Sequence, residues 1–211
     1  MEGSAISIYP VEMLEKGRTT RTTSYHHGDL REALVQAARK ILEKDGLAAL
    51  SLRGVARAAG VSSAAPYHHF PDKQALLDAV ATQGFDALTS AMEQRMAKAT
   101  NPAARLEASG VGYVVFAVEN PALFRLMFGG GEQKLSANAS LMKAGERAYG
   151  VLQAAVAATS PDGAASPIVC LRLWALVHGI AKLILEGCVR PADYGLTGGE
   201  ALAAHLLRSS A

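Results

Sequence analysis

In SLRGVARAAGVSSAAPYHHF, residues 51–70, a short helical period gives way to small and polar residues. Ser51 stands where an N-cap accepts a free backbone N–H, and Leu52, Val55, Ala56 and Ala59 recur at helical spacing. Gly60 ends that helix, Val61 turns inward, and Ser62 or Ser63 caps the next. Two short helices joined by a tight glycine turn make a helix-turn-helix. Pro66 has no N–H and is tolerated only in a first turn. With Ser63 as the cap it is the third helical residue, so the spacing predicts a helix beginning at Ser63, or one with a loosened first turn. Ser63, Ala64 and Ala65 are small enough for the helix start to approach another surface. Tyr67, His68 and His69 supply hydroxyl and imidazole groups, and Phe70 is the inward anchor. The N-terminal residues of the second helix in such a motif approach base edges, so duplex DNA is a surface this pattern suits.

Upstream, DLREALVQAARKILEKDG carries Leu30, Ala33, Leu34, Ala37, Ala38, Ile41 and Leu42 on one stripe. This is an amphipathic helix, capped by Gly28 or Asp29 and stopped by Gly46 in a left-handed conformation. Residues 1 to about 25 show no period, and 1–24 read as a flexible basic arm bearing Lys16, Arg18 and Arg21. Charge follows the same division. Residues 16–73 hold ten Lys/Arg against five Asp/Glu, whereas 74–211 hold eleven of each. A basic N-terminal part suits a polyanion.

YHHGDLREALVQAARKILEKDGLAALSLRGVARAAGVSSAAPYHHFPDKQALLDAV runs without a gap through roughly residues 25–80. It resembles the DNA-binding domain of the TetR family of bacterial transcriptional regulators, most specifically in AAGVS, in the aromatic-x-x-Phe of YHHF and in DKQALL. The resemblance implies phosphate contacts from Tyr67 and Lys73. It implies groove-facing positions for Ser63, Ala64, Ala65 and His69, and positions near the DNA backbone for Ser51 and Arg53. Ser62 and His68 complete the candidate DNA-binding set. The Thr-Leu common before the tyrosine is replaced by Ala65-Pro66, which shifts specificity toward Ser63, His68 and groove shape.

The remainder reads as helix: 72–99, 102–119, PALFRLMF, SANASLMKAGERAYGVLQAAVAA, a helix opened by Pro167, and EALAAHLLR. With abundant alanine and few aromatics, this predicts an all-α chain of about nine helices. A helix-turn-helix domain over 25–72 precedes a helical effector-binding and dimerisation domain over 73–211. LWALVHGIAKL, with Trp174, His178 and Gly179, also resembles a Trp-x-x-x-His-Gly signature of one TetR subgroup, and NPALFRLMFG fits the same subgroup. Trp174 and His178 share a helix face. They are either core or part of a pocket for a partly apolar small molecule, with Phe116, Phe124, Met127 and Tyr149 as further lining.

Other classes fit less well. PIVCLRLWALVHGIAKLILEG is apolar but holds Arg172, His178 and Lys182. A mid-bilayer Arg or Lys costs about 2.5–3.5 kcal/mol, so the segment reads as a buried or interface helix and not as a membrane span. Cys170 and Cys188 would lie about 27 Å apart on one helix, too far to bridge. Together with the absence of a signal-like N-terminal run, this suits a reducing cytoplasm. No nucleophile elbow, zinc-protease motif or phosphate loop is present, which argues against an enzyme. The pairs His26–His27 and His68–His69 point about 100° apart on a helix and chelate poorly, so no metal or other cofactor is expected. The reading is a homodimeric repressor that binds double-stranded operator DNA and is released by a small molecule. An activator of the same fold and a helical interaction module without effector are the alternatives.

Overall fold

A computed structural model describes residues 27–129 and 138–208, with side chains from residue 30 onward. The arm expected over 1–24, with Lys16, Arg18 and Arg21, and residues 130–137 lie outside the described residues. Eight α-helices occur among those described: α1 His27–Asp45, α2 Leu52–Ala58, α3 Lys73–Met96, α4 Pro102–Glu119, α5 Pro121–Met127, α6 Ala139–Thr159, α7 Pro167–Leu185 and α8 Gly198–Arg208. No strand occurs among the described residues. The starts follow local chemistry. Asp72 accepts from Ala75 N at 2.8 Å, Asn101 from Ala104 N at 2.9 Å and Asn138 from Leu141 N at 2.9 Å, each satisfying a donor that its helix leaves free. Pro102 and Pro167 occupy the first turns of α4 and α7, where a missing N–H costs nothing.

The described chain divides into two compact units. The first combines residues up to 84 with 122–144. Its core is Leu34, Val35, Ala38 and Leu42 of α1, Leu52 and Val55 of α2, Phe70, and Leu76, Leu77 and Val80 of α3, all buried. Each large side chain among them contributes roughly 1.5–3 kcal/mol by leaving water. Glu43 tethers the start of α5 by accepting from Leu123 N at 3.0 Å. Gly84 lets α5 approach α3, because a Cβ there would meet Met127 Sδ at 2.6 Å. The buried Asp78 carboxylate is satisfied by Gln74 Nε2 at 2.8 Å and Asn138 Nδ2 at 3.1 Å.

The second unit combines 85–121 with the chain from 145 onward. Its central helix is α4, buried along Val111, Tyr113, Val114, Phe116 and Ala117. Gly112 permits close crossing with α3: a Cβ there would lie 3.0 Å from Met92 Cα and 3.1 Å from the Ala91 carbonyl oxygen. Arg95 and Glu200 join α3 to α8 through two hydrogen bonds, at 2.7 and 3.1 Å. α7 is long and apolar enough to cross a membrane by length and composition, with a mean hydropathy of 1.9. Cys170, Val177, Ile180 and Ala181 face the unit's core, while Ile168, Leu171 and Leu183 remain exposed. Both cysteines are free thiols.

One expected element differs in kind. The second helix of the helix-turn-helix is a 3-10 turn, Ala65–His68, and not an α-helix starting at Ser63. Ala65 N donates to Ser62 O, Tyr67 N to Ala64 O and His69 N to Pro66 O, all three residues back. Pro66 carries no N–H for Ser62 O, and its ring disfavours α geometry at Ala65. Pro66 is also buried. The proline therefore fixes the whole turn, not its start alone.

Candidate functional site

The turn between α2 and the 3-10 segment is rigidly built. Ser51 Oγ accepts from Gly54 N at 3.1 Å and caps α2 as expected. At the other end Gly60 adopts φ +71°, a conformation that favours glycine. Gly60 N donates to Arg57 O at 3.2 Å and Val61 N to Ala56 O at 3.0 Å. These two bonds satisfy the Arg57 and Ala56 carbonyls in the last turn of α2 and fix the exit direction of the chain.

Beyond that turn the chain forms a short platform. Pro66 and Phe70 point into the core, Phe70 beneath the Arg31 guanidinium carbon at 5.1 Å from its ring centre. Ser62, Ser63, Ala64, Tyr67 and His68 are exposed, and Ala65 and His69 are half-buried. Tyr67 keeps 51% of its surface in water, unusual for an aromatic residue between two buried anchors. Arg53 is exposed on the first turn of α2, and Arg57 on its last. Lys73 is half-buried, and its Nζ donates to the Leu47 carbonyl at 3.2 Å. The lysine thus holds the turn after α1 against the start of α3. A surface of small residues, hydroxyls, an imidazole and guanidinium groups on a fixed backbone has the donors and the clearance to meet a phosphate backbone and groove edges.

The candidate effector residues fall into two groups. Phe124 and Met127 belong to the first unit, where both are fully packed and Phe124 lies 4.8 Å from the Phe128 ring. Phe116, Tyr149, Trp174 and His178 belong to the second. There Trp174 packs edge-on to Tyr149 at 6.0 Å and lies 6.1 Å from His178. Phe116 is buried on α4.

Sequence reasoning did not single out Tyr113, which bonds His178 Nδ1 through its hydroxyl at 2.8 Å. Burial pushes the Tyr113 hydroxyl well above its ordinary range, with a hydrogen bond from Trp174 acting in the opposite direction. Burial, and then the nearby Lys182 charge, hold the His178 imidazole below its usual value. Both groups are therefore neutral near pH 7. Among the described residues no group of three or more His, Cys, Asp or Glu side chains is arranged to hold a metal ion.

Residues 34–80 match the model of bacterial regulatory proteins of the tetR family, and residues 106–209 match the tetracyclin repressor-like C-terminal domain. The chain belongs to the TetR family. A solved structure of a protein of unknown function from Rhodococcus sp. RHA1 is 35% identical, with 89% of this chain and 96% of that one covered at a TM-score of 0.71. The nucleoid occlusion factor SlmA of Marinobacter nauticus is 30% identical over 47% of this chain and 51% of its own length. The HTH-type transcriptional repressor KstR2 of Mycolicibacterium smegmatis is 33% identical over 36% of this chain and 37% of its own. The chain thus spans about half or less of the length of these two named relatives. The platform at residues 62–69 lies within the segment that matches the model of bacterial regulatory proteins of the tetR family.

Proposed function

We propose that the chain is a repressor that binds operator DNA as a homodimer and leaves it when a small, partly apolar molecule occupies the second unit. The observation that carries the DNA reading is the exposed run Ser62, Ser63, Ala64, Tyr67 and His68, held on a fixed turn by buried Pro66 and Phe70. In this reading Tyr67 and Lys73 position the protein on phosphates. Ser51 and Arg53 lie near the DNA backbone. Ser62, Ser63, Ala64, Ala65, His68 and His69 face the groove, and groove shape supplies part of the specificity. The similarity to a named repressor supports the sign of regulation.

The uncovered apolar face of α7 supports the homodimer. Ile168 is 69% exposed and Leu183 47% exposed on a helix of high mean hydropathy, a surface that a second copy removes from water. A two-fold dimer presents two reading heads to half-sites about 34 Å apart. The effector contacts are assigned to Phe116, Tyr149, Trp174 and His178 of the second unit. An effector shifts the equilibrium only by binding the DNA-incompetent form more tightly; couplings of about 1–3 kcal/mol are usual. The chain acts by binding and not by catalysis, in the cytoplasm.

The test uses purified protein and duplex DNA carrying a selected operator. Tyr67→Phe removes one hydroxyl and no packing, so affinity falls about tenfold, evenly across sequences. Leu171→Glu, at the surface of α7, converts a sedimenting dimer to monomer with the helical spectrum intact. Unchanged operator affinity in Tyr67→Phe, or a dimer undisturbed by Leu171→Glu, contradicts the docking or the assembly respectively.

A further inference from the structure

Among the described residues, the Tyr149 hydroxyl is a buried side-chain polar atom with no hydrogen-bond partner. Tyr149 is only 9% exposed, in a cluster with buried Val156 and Cys170 and surrounding Leu106, Leu152 and Leu173. A phenol placed so far from water normally finds a partner, because an unsatisfied donor in apolar surroundings is costly. The neighbouring polar atoms are engaged elsewhere. Tyr113 pairs with His178, and Trp174 is a donor to Tyr113. The Cys170 thiol stays protonated, since burial pushes its pKa up.

Resting on the reading that the second unit binds an effector, we infer that Tyr149 is the hydrogen-bond anchor of that site and that its ligand is an uncharged molecule presenting a carbonyl oxygen to the Tyr149 hydroxyl. A carbonyl accepts the proton that has no acceptor among the described residues. The rings of Trp174 and Tyr149 and the surrounding leucines make apolar surroundings that suit an apolar body. A carboxylate does not suit the site. The side chains clustered about Tyr149 are apolar, and Lys182, the charge felt by His178, is paired with Glu186 at 2.8 Å. Moving an unpaired carboxylate into such surroundings is strongly unfavourable.

The probes are acetophenone, ethylbenzene and benzoate, which differ at one group. Trp174 is the sole tryptophan, and its ring lies 6.0 Å from Tyr149, so its emission reports the site. Acetophenone should bind the wild type about tenfold more tightly than ethylbenzene, as one hydrogen bond allows, and benzoate more weakly than either. In Tyr149→Phe the two neutral probes should bind alike, ethylbenzene with its wild-type affinity, and the melting temperature should hold or rise because the orphaned hydroxyl is gone. An acetophenone preference that survives Tyr149→Phe, benzoate binding as tight as acetophenone, no binding of either neutral probe, or a Tm several degrees lower in the variant overturns the assignment. Operator binding is followed in parallel. Acetophenone that binds through Tyr149 yet never releases DNA supports this anchor and strikes the proposed regulation instead.

Discussion

Replacing Pro66 with alanine separates the observed reading platform from the α-helix that such a motif suggests. The pyrrolidine ring is buried, so the substitution removes two buried methylenes, about 1.6 kcal/mol at roughly 0.8 kcal/mol each. It also frees the unfolded chain, a further ~0.4–1 kcal/mol against the native state. In return the new amide can donate to Ser62 O, recovering about 0.5–1.5 kcal/mol. The net expectation is a loss of about 0.5–2 kcal/mol. The new bond has a second consequence. An α-helix rises about 1.5 Å per residue and a 3-10 helix about 2.0 Å, so conversion over four residues moves Tyr67 and His68 by up to about 2 Å. Hydrogen bonds to phosphate tolerate a few tenths of an ångström, so operator affinity should fall at least tenfold. Urea unfolding at fixed protein concentration gives the first quantity, and anisotropy of a labelled operator gives the second. Stability within about 0.5 kcal/mol of wild type, with affinity within twofold, would refute the view that Pro66 shapes the head.

Gly112→Ala and Gly150→Ala should shift stability in opposite directions. The first drives a methyl into the α3 backbone, and its overpacking cost of about 1–3 kcal/mol outweighs a helix-propensity gain near 1 kcal/mol. The second meets no atom within 4 Å and keeps only the gain, so urea midpoints should move down and up respectively. His178 has a depressed pKa in the folded state, so the unfolded chain binds more protons below about pH 6.5. The urea midpoint should therefore fall as pH drops from 7.5 to 5.5, and fall less in His178→Gln. Glu200 is held below the usual carboxylate range by its hydrogen bond to Arg95, so its contribution is present above the unfolded value and lost as pH falls through the folded one. Glu200→Gln should be less stable than wild type at pH 7 by under about 1 kcal/mol, the pair being partly exposed, with the gap closing near pH 3 and in high salt.

Local chemistry is what the sequence reports well. The stripe of α1, the Ser51 cap, the stop at Gly60, the Asn101-Pro102 opening and the proline start of α7 each depend on residues within a few positions of one another. The last four are seen in the fold, and the stripe in part, since Val35 is buried while Ala33 is exposed. The turn at 65–68 is also local. There the polar pattern suggested a helix, while the missing N–H of Pro66 decided its type. The cluster around Trp174 and His178 was only half legible because its partners are distant in the chain. Tyr113 and His178 are 65 residues apart, and nothing in the sequence around Tyr113 marks it as the partner of an imidazole. Phe124 and Met127 share the aromatic and thioether character of pocket residues, yet Met127 packs where Gly84 leaves room on α3. Lys73 shows the converse: the family resemblance implied a phosphate contact, and the fold gives it the Leu47 carbonyl, which a side-chain pattern cannot foretell.

The most direct test of the account is selection of duplexes from a random pool by the purified protein, with the affinity of the winning sequence then measured across a salt series. The account predicts enrichment of a two-fold-symmetric site with half-sites about one helical turn apart. Binding should weaken by about 0.9 log units per neutralised phosphate per log of salt, and Tyr67→Phe, which removes no charge, should lower affinity while keeping that slope. Enrichment of no sequence, or an affinity that does not change with salt, would contradict it.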